Sequence, residues 1–320
     1  MTMPKSDDER LRLKVADIRE IARDIHLIEL RSPDDAPLPP FTAGSHLVVD
    51  TPAGAVRRYS LCNDPAEDDR YVIAVKVDAQ GRGGSVSMAG LKPGDTLSVS
   101  PPDNAFALSP KARRSLLIAG GIGITPVLAM ARHLHANDAP FKLVYCTRDA
   151  AGTAFLDELR QSPFSQNVVI HHDEGNPDAA FDFWPLLETP KGTHVYCCGP
   201  RGLMEAVRDM TGHWPSDAVH FESFGVSAEL TRTNVPFDVV LQASGQRVHV
   251  DADTSILEAV RAAGVSVASS CESGTCGSCR TRLVAGEVEH RDMVLLDEEK
   301  ADNIMICVSR SCGGELVLGL

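Results

Sequence analysis

The sequence predicts a multidomain chain: an antiparallel β-barrel, then a doubly wound α/β domain, then a small α+β domain of the β-grasp kind. Three observations predict it. The chain has 320 residues, more than one ordinary hydrophobic core supports. Its first third carries short strand-like runs punctuated by Gly and Pro turns. Its middle third alternates strand-like and helix-like runs, and a Gly- and Cys-rich loop follows near the end.

The barrel is expected from Leu11–Val15, His26–Leu30, His46–Asp50, Arg57–Leu61, Tyr71–Val77 and Thr96–Ser100, with Pro33–Pro40 as a loop. The middle domain opens with the apolar strand Ser115–Ala119 and a helix over Thr125–His135. A strand Phe141–Thr147, a helix Ala154–Leu159 and strands at Val168–His171 and His194–Cys198 follow. A helix over Arg201–Met210 and a last strand Val219–Glu222 complete the βαβ rhythm. After a polar linker, Phe237–Gln242 and Arg247–Val250 flank Ser244-Gly245 as a hairpin. Ser255–Ala263 reads as a helix capped by Asp253 or Thr254. Strands at Thr281–Val284 and Glu315–Leu318 close the chain. The expected divisions are 1–105, 106–228, a linker 229–235, and 236–320.

Composition narrows the function classes. With 43% hydrophobic and 23% charged residues, the chain reads as soluble and globular. A net charge of -13 argues against a nucleic-acid partner. The polar, acidic start Lys5–Arg10 does not resemble a secretory leader. Ser115–Ala131 lacks charge, but Gly120, Gly121, Gly123 and Pro126 interrupt it and it is short for a membrane span. Nine cysteines without a leader favour reduced thiols, metal ligation and the cytoplasm over disulfides. Cys62, Cys146, Cys197, Cys198 and Cys312 read mostly as small buried residues.

The cysteine loop is the most specific motif. Cys271, Cys276 and Cys279 follow C-x4-C-x2-C, with Cys307 after a gap, the plant-type spacing for a [2Fe–2S] cluster. Gly274 and Gly277 permit tight bends around the sulfurs. Four cysteines also suit structural zinc, but zinc sites usually pair two short knuckles, and only Cys276-x2-Cys279 resembles one. Cys312 competes with Cys307 for the fourth position. Cys307 is preferred because Ile304–Ile306 leads into it like a strand.

Three further motifs lie upstream. Arg57-Arg58-Tyr59-Ser60 in an extended run can offer a guanidinium to phosphate, a ring to a flat cofactor and a hydroxyl to a ring nitrogen. Alone, it reads better as an edge strand with solvated arginines. Gly81-Arg82-Gly83-Gly84-Ser85 is a plausible anion nest, or simply a flexible loop. Gly120-Gly121-Ile122-Gly123-Ile124-Thr125-Pro126 joins a strand to a helix, as a dinucleotide pyrophosphate requires, with Thr125 as a candidate cap. It departs from the usual G-x-G-x-x-G. Cys198-Gly199-Pro200 ends a later strand on the same sheet edge. His171 and His172 end a strand and read as structural or nucleotide-adjacent.

In that order, the motifs resemble the ferredoxin–NADP reductase superfamily. With the C-terminal cysteine domain, the whole chain resembles the phthalate dioxygenase reductase family and is similar to vanillate demethylase reductases. The resemblance implies FMN in the barrel, NADH in the middle domain and a [2Fe–2S] cluster in a C-terminal ferredoxin domain. It implies that Arg57, Arg58, Tyr59, Ser60, Lys76, Arg82, Gly84 and Ser85 contact FMN. Gly120, Gly121, Thr125, Cys198, Gly199 and Pro200 would line the nicotinamide nucleotide, with Phe224 beside flavin and nicotinamide. Ser60, Thr125, Cys198 and Phe224 would stand nearest the chemistry. Asp149 and Asp173 would repel a 2′-phosphate and favour NADH, whereas Arg148 points the other way. The implied partner is the oxygenase component of a two-component Rieske-type aromatic oxygenase, served by a monomeric reductase. A reductase feeding a cytochrome P450 or a diiron monooxygenase, and a zinc-stabilised binding protein without catalysis, are the competing readings. Acidic residues Glu287, Glu289, Asp292, Asp297, Glu298 and Glu299 suggest a docking face for a basic partner, or else a solvated surface.

Overall fold

The computed structural model describes residues 10–81, 83–224, 234–269, 272–275 and 277–320. Arg82, Cys271, Cys276 and most of the expected linker therefore lie outside the described residues.

The first part is an antiparallel sheet of β1 (Leu11–Ala22), β2 (Ile25–Arg31), β3 (His46–Asp50), β4 (Val56–Ser60), β5 (Tyr71–Lys76) and β6 (Thr96–Val99). The order is β4-β3-β6-β1-β2-β5. A bridge between Leu61 and Ile73, with the Cys62 N–H donating to the Val72 carbonyl at 2.9 Å, joins the two ends and closes the barrel. Leu13, Val15, Ile28, Leu47, Val49 and Ile73 fill its interior. β1 extends well beyond the expected Leu11–Val15. Its second half carries Asp17, Arg19 and Glu20, and register breaks at Val15/Asp17 and Glu20/Ala22 spoil the apolar alternation that marks a strand in sequence. A short helix, α1 (Gly84–Ala89), begins within the expected nest.

The middle part contains β7 (Arg114–Gly120), α2 (Ile124–Ala136), β8 (Phe141–Thr147), α3 (Leu156–Gln161), β9 (Val168–His172), α4 (Trp184–Leu187), β10 (Thr193–Cys198), α5 (Arg201–Met210) and β11 (Val219–Glu222). The sheet order is β11-β10-β7-β8-β9, with β10/β7, β7/β8 and β8/β9 parallel. The order reverses between β7 and β10, and ligands of such sheets bind outside the carboxyl ends of the strands at that switch point. Barrel residues Ile25, Leu27, Val72 and Ala74 share one apolar core with Leu117, Val127, Leu143 and Tyr196. Barrel and α/β sheet accordingly form one compact unit, reaching Phe221.

The second unit, from Glu222 onward, has its own core. A mixed sheet runs β13-β12-β18-β14-β16, built from β12 (Phe237–Leu241), β13 (Arg247–Val250), β14 (Arg280–Ala285), β16 (Asn303–Met305) and β18 (Leu316–Leu318). A small pair, β15 (Val288–Glu289) with β17 (Arg310–Ser311), stands beside it. Helix α6 (Ile256–Ala262) buries Ile256, Leu257 and Val260 in the same core as Val239 and Leu316. Its cap is Ser255, not the expected Asp253 or Thr254. The Ser255 hydroxyl accepts from the Glu258 N–H while Glu258 accepts from the Ser255 N–H, a reciprocal capping box.

Candidate functional site

On β4, Arg57 and Tyr59 pair with Val49 and Leu47, so they share one strand face, and Arg58 and Ser60 take the other. Directly opposed residues of an antiparallel pair point the same way. Ser60 is buried beside its partner His46, where the strand reaches the barrel closure. Burial pushes the Tyr59 phenol up to about 12, with Arg57 opposing the shift. The Arg57 side chain runs past the start of α1: a Cβ on Gly84 would stand 3.6 Å from its Nε. The Ser85 hydroxyl accepts from the Asp78 N–H at 2.9 Å, fixing that turn. A guanidinium beside a helix start suits a phosphate in charge and in donors. Lys76 is exposed at the end of β5, in the alternation of Val72 and Ala74, away from the barrel interior.

The nucleotide motifs converge at the switch point. A Cβ on Gly199 would lie 2.9 Å from the Gly120 Cα, and one on Gly120 would lie 2.6 Å from the Pro200 Cδ. A Cβ on Gly123 would overlap the Cys198 carbonyl. Only glycine permits this close approach of the ends of β7 and β10 at the start of α2. Thr125 is not the helix cap. It lies within α2, buried, and its hydroxyl donates to the Ile122 carbonyl at 3.1 Å. The Cys198 thiol is buried in the shared core. Phe224 lies beyond β11, where the second unit begins, and is 47% exposed.

The two carboxylates weighed for nucleotide choice differ. Asp149 pairs with Arg23 at 2.6 Å and accepts from the Gly152 N–H, and that hydrogen-bonded pairing holds its carboxyl below the usual range. It is already engaged by the barrel. Asp173 follows β9 and accepts from the Gly175 N–H. Arg148 is exposed. His171 meets the Ala179 carbonyl at 2.7 Å and His172 the Thr153 hydroxyl at 3.1 Å, as structural residues do.

In the second unit, β14 and β16 pair with Arg280 opposite Met305. This register brings Cys279, just before β14, and Cys307, just after β16, to the same end of the strand pair, both buried. Gly274 has φ +77°, and a Cβ there would meet the Val308 Cγ2 at 2.7 Å, so the loop is seated against the residue after Cys307. Two buried thiols beside a tightly bent loop fit a [2Fe–2S] cluster. Cys312 is exposed and its N–H donates to the Glu287 carbonyl, so it stands apart from the small buried cysteines.

The acidic stretch also needs correction. The Asp292 side chain is buried and accepts from the Val294 and Leu295 N–H groups. Glu289 pairs with Arg291, Glu299 with Arg280 and Asp297 with Lys300. Glu287 and Glu298 remain exposed in that stretch.

Comparisons with known proteins follow the same division. Residues 12–107 match the family described as oxidoreductase FAD-binding domain, 117–209 the oxidoreductase NAD-binding domain, and 239–312 the 2Fe-2S iron-sulfur cluster binding domain. The phthalate 4,5-dioxygenase oxygenase reductase subunit of Pseudomonas putida is 57% identical over 98% of both chains. The solved structure of phthalate dioxygenase reductase, described as modular for electron transfer from pyridine nucleotides to [2Fe–2S], superposes with TM-score 0.80 at 56% identity. That match covers 98% of this chain and 99% of the other. This chain belongs to the phthalate dioxygenase reductase family. Vanillate O-demethylase oxidoreductase of a Pseudomonas species is a more distant relative, 39% identical over 96% of this chain and 98% of its own. As a phthalate dioxygenase reductase family member, the chain is an oxidoreductase with flavin, NAD and [2Fe–2S] domains. The zinc-stabilised binding protein is thereby set aside.

Proposed function

We propose that this chain is the NADH-dependent reductase component of a two-component Rieske non-haem iron aromatic oxygenase, of phthalate dioxygenase or vanillate demethylase type. The observation that carries the reading is the end-to-end likeness to an oxygenase reductase subunit, with three domains in one order. FMN would be held by Arg57, Arg58, Tyr59, Ser60, Lys76, Arg82, Gly84 and Ser85. Gly120, Gly121, Thr125, Cys198, Gly199, Pro200 and Phe224 would hold NADH. Cys271, Cys276, Cys279 and Cys307 would ligate the cluster. We place the divisions near residues 105 and 228, with 229–235 as linker, and expect a cytoplasmic monomer. Among the described residues no helix is long and apolar enough to cross a membrane.

Flavin held by these residues would supply a hydride acceptor for NADH that can release electrons singly to a cluster. The chain's own work is binding and alignment. Arg57 supplies positive charge beside the α1 start. The Gly120–Gly199 approach opens the α2 start to a pyrophosphate. The Thr125–Ile122 bond fixes the first turn of α2. Ser60 and Cys198, at the ends of β4 and β10, are themselves shielded from water.

The test is anaerobic transfer from NADH through the purified holoprotein to a Rieske oxygenase. Reduction of that oxygenase supports the reading. Reduction of a P450 or diiron monooxygenase in its place transfers support to the competing acceptors. Weighing the released flavin decides FMN against FAD.

A further inference from the structure

Arg132 belongs to none of the sequence motifs, yet it joins the elements that carry them. It lies seven residues after Thr125 on α2, two helical turns along the same face. One guanidinium nitrogen donates to the Cys62 carbonyl, and another pairs with Glu158 on α3. Cys62 is two residues beyond Ser60 and sits where the barrel closes. Its N–H donates to the Val72 carbonyl, and its thiol approaches the same oxygen at 3.2 Å. The neighbouring Leu61 N–H donates to the Ser45 carbonyl at 2.8 Å. Burial pushes the Cys62 thiol up to about 12, so it remains a neutral packing group there.

One side chain thus fastens the strand end that presents Ser60 to the helix that presents Thr125. Only a planar fork with several donors spans a carbonyl and a carboxylate together; lysine offers a single point. A second tie lies just beyond the carboxyl end of β8. The Arg23 N–H donates to the Ala151 carbonyl, and its guanidinium pairs with Asp149.

We propose that Arg132 is a positioning residue for hydride transfer: it holds α2 against the β4–β5 closure and so sets the approach of nicotinamide to flavin. The proposal rests on flavin at β4 and nicotinamide at the start of α2. The step would move one hydride with its electron pair, breaking the dihydronicotinamide C4–H bond and forming a flavin N5–H bond, so that the nucleotide is oxidised and the flavin reduced by two electrons. Arg132 gives no proton to it.

The experiment compares holoprotein with Arg132→Met, Arg132→Lys and Glu158→Gln by stopped flow with NADH. Arg132→Met is expected to slow flavin reduction by about 10- to 100-fold, the scale of an ångström-sized misplacement. Its long-wavelength charge-transfer absorbance with nicotinamide weakens, and amide exchange at Leu61 and Cys62 rises. Arg132→Lys, which keeps one contact, is expected to fall about 3- to 10-fold. Glu158→Gln, which leaves the carbonyl bond, changes the rate less than Arg132→Lys. A flavin-replete Arg132→Met protein with the wild-type rate and absorbance overturns the role, even if amide exchange rises. If that variant does not fold, a wild-type rate in Arg132→Lys overturns it. Failure of the wild-type flavin to be reduced by NADH overturns the functional reading itself.

Discussion

At the residue scale, the meaning of a carboxylate depends on its neighbours. Asp149 and Asp173 both follow strands at the carboxyl edge of the parallel sheet, and sequence treats them alike. The fold commits Asp149 to Arg23, 126 residues away, and to the Gly152 N–H. The Asp173 carboxylate instead accepts from the Gly175 N–H within its own turn. Asp173→Asn is therefore expected to raise the NADPH/NADH ratio of kcat/KM by about tenfold, close to 1.4 kcal/mol of relieved repulsion. Asp149→Asn is expected to change that ratio less and to lower stability instead, which steady-state kinetics and thermal unfolding separate. His220 behaves by the same logic. It stacks on Tyr196 at 4.6 Å and on His194 at 5.4 Å, with ring nitrogens of the two histidines 3.1 Å apart. Burial, then the His194 charge, push its pKa below 6.5, with Asp217 opposing. The unfolded chain then binds the proton first as pH falls. Stability of the first unit should be full above pH 6.5 and decline as pH drops from there toward the lower folded value. His220→Gln should flatten that decline in thermal unfolding.

At the element scale, helix α6 shows how a local signal can be seen and still be misassigned. Asp253, Thr254 and Ser255 are all good caps, and pattern alone does not choose among them. Tertiary contacts do. The buried Arg310 donates to the Thr254 and Asp251 carbonyls and lies over the Phe237 ring at 5.0 Å, fixing the approach to the helix. Ser255 is then left at the boundary with Glu258 three residues on. Ser255→Ala should cost about 1 kcal/mol, lowering the midpoint of this unit by about 4–8 °C, whereas Asp253→Ala should leave it nearly unchanged. Several element boundaries were far more legible: strands β3, β8, β11 and β13 and helix α5 match their sequence expectations end to end. Each is bounded by turn residues or by a change of hydrophobic period. The second half of β1 was not legible, because register breaks and polar residues interrupt the apolar alternation there.

At the scale of the whole molecule, three sequence domains become two compact units. The barrel and the α/β sheet share Val72, Ala74, Leu117 and Tyr196 in one core, while the cysteine domain keeps a separate one. Calorimetry of the holoprotein should therefore show two transitions rather than three. Removing iron with a chelator should lower only the transition of the smaller unit, by about 10 °C or more, since metal binding there contributes to folding. A common shift of both transitions would contradict independent cores.

The sequence alone determined the chemistry and its order. A glycine turn, a pyrophosphate-binding start of a helix and a cysteine spacing are local patterns, and backbone sterics and ligand geometry constrain them within a few residues. Tertiary structure decided which side chains remain available to that chemistry. Asp149 is engaged by Arg23, Asp292 is buried beneath its own turn, and Arg132 ties Cys62 to Glu158 across 70 and 26 residues of chain. Such pairings have no local signature, because a guanidinium or carboxylate is specified by whatever the fold brings to its tip.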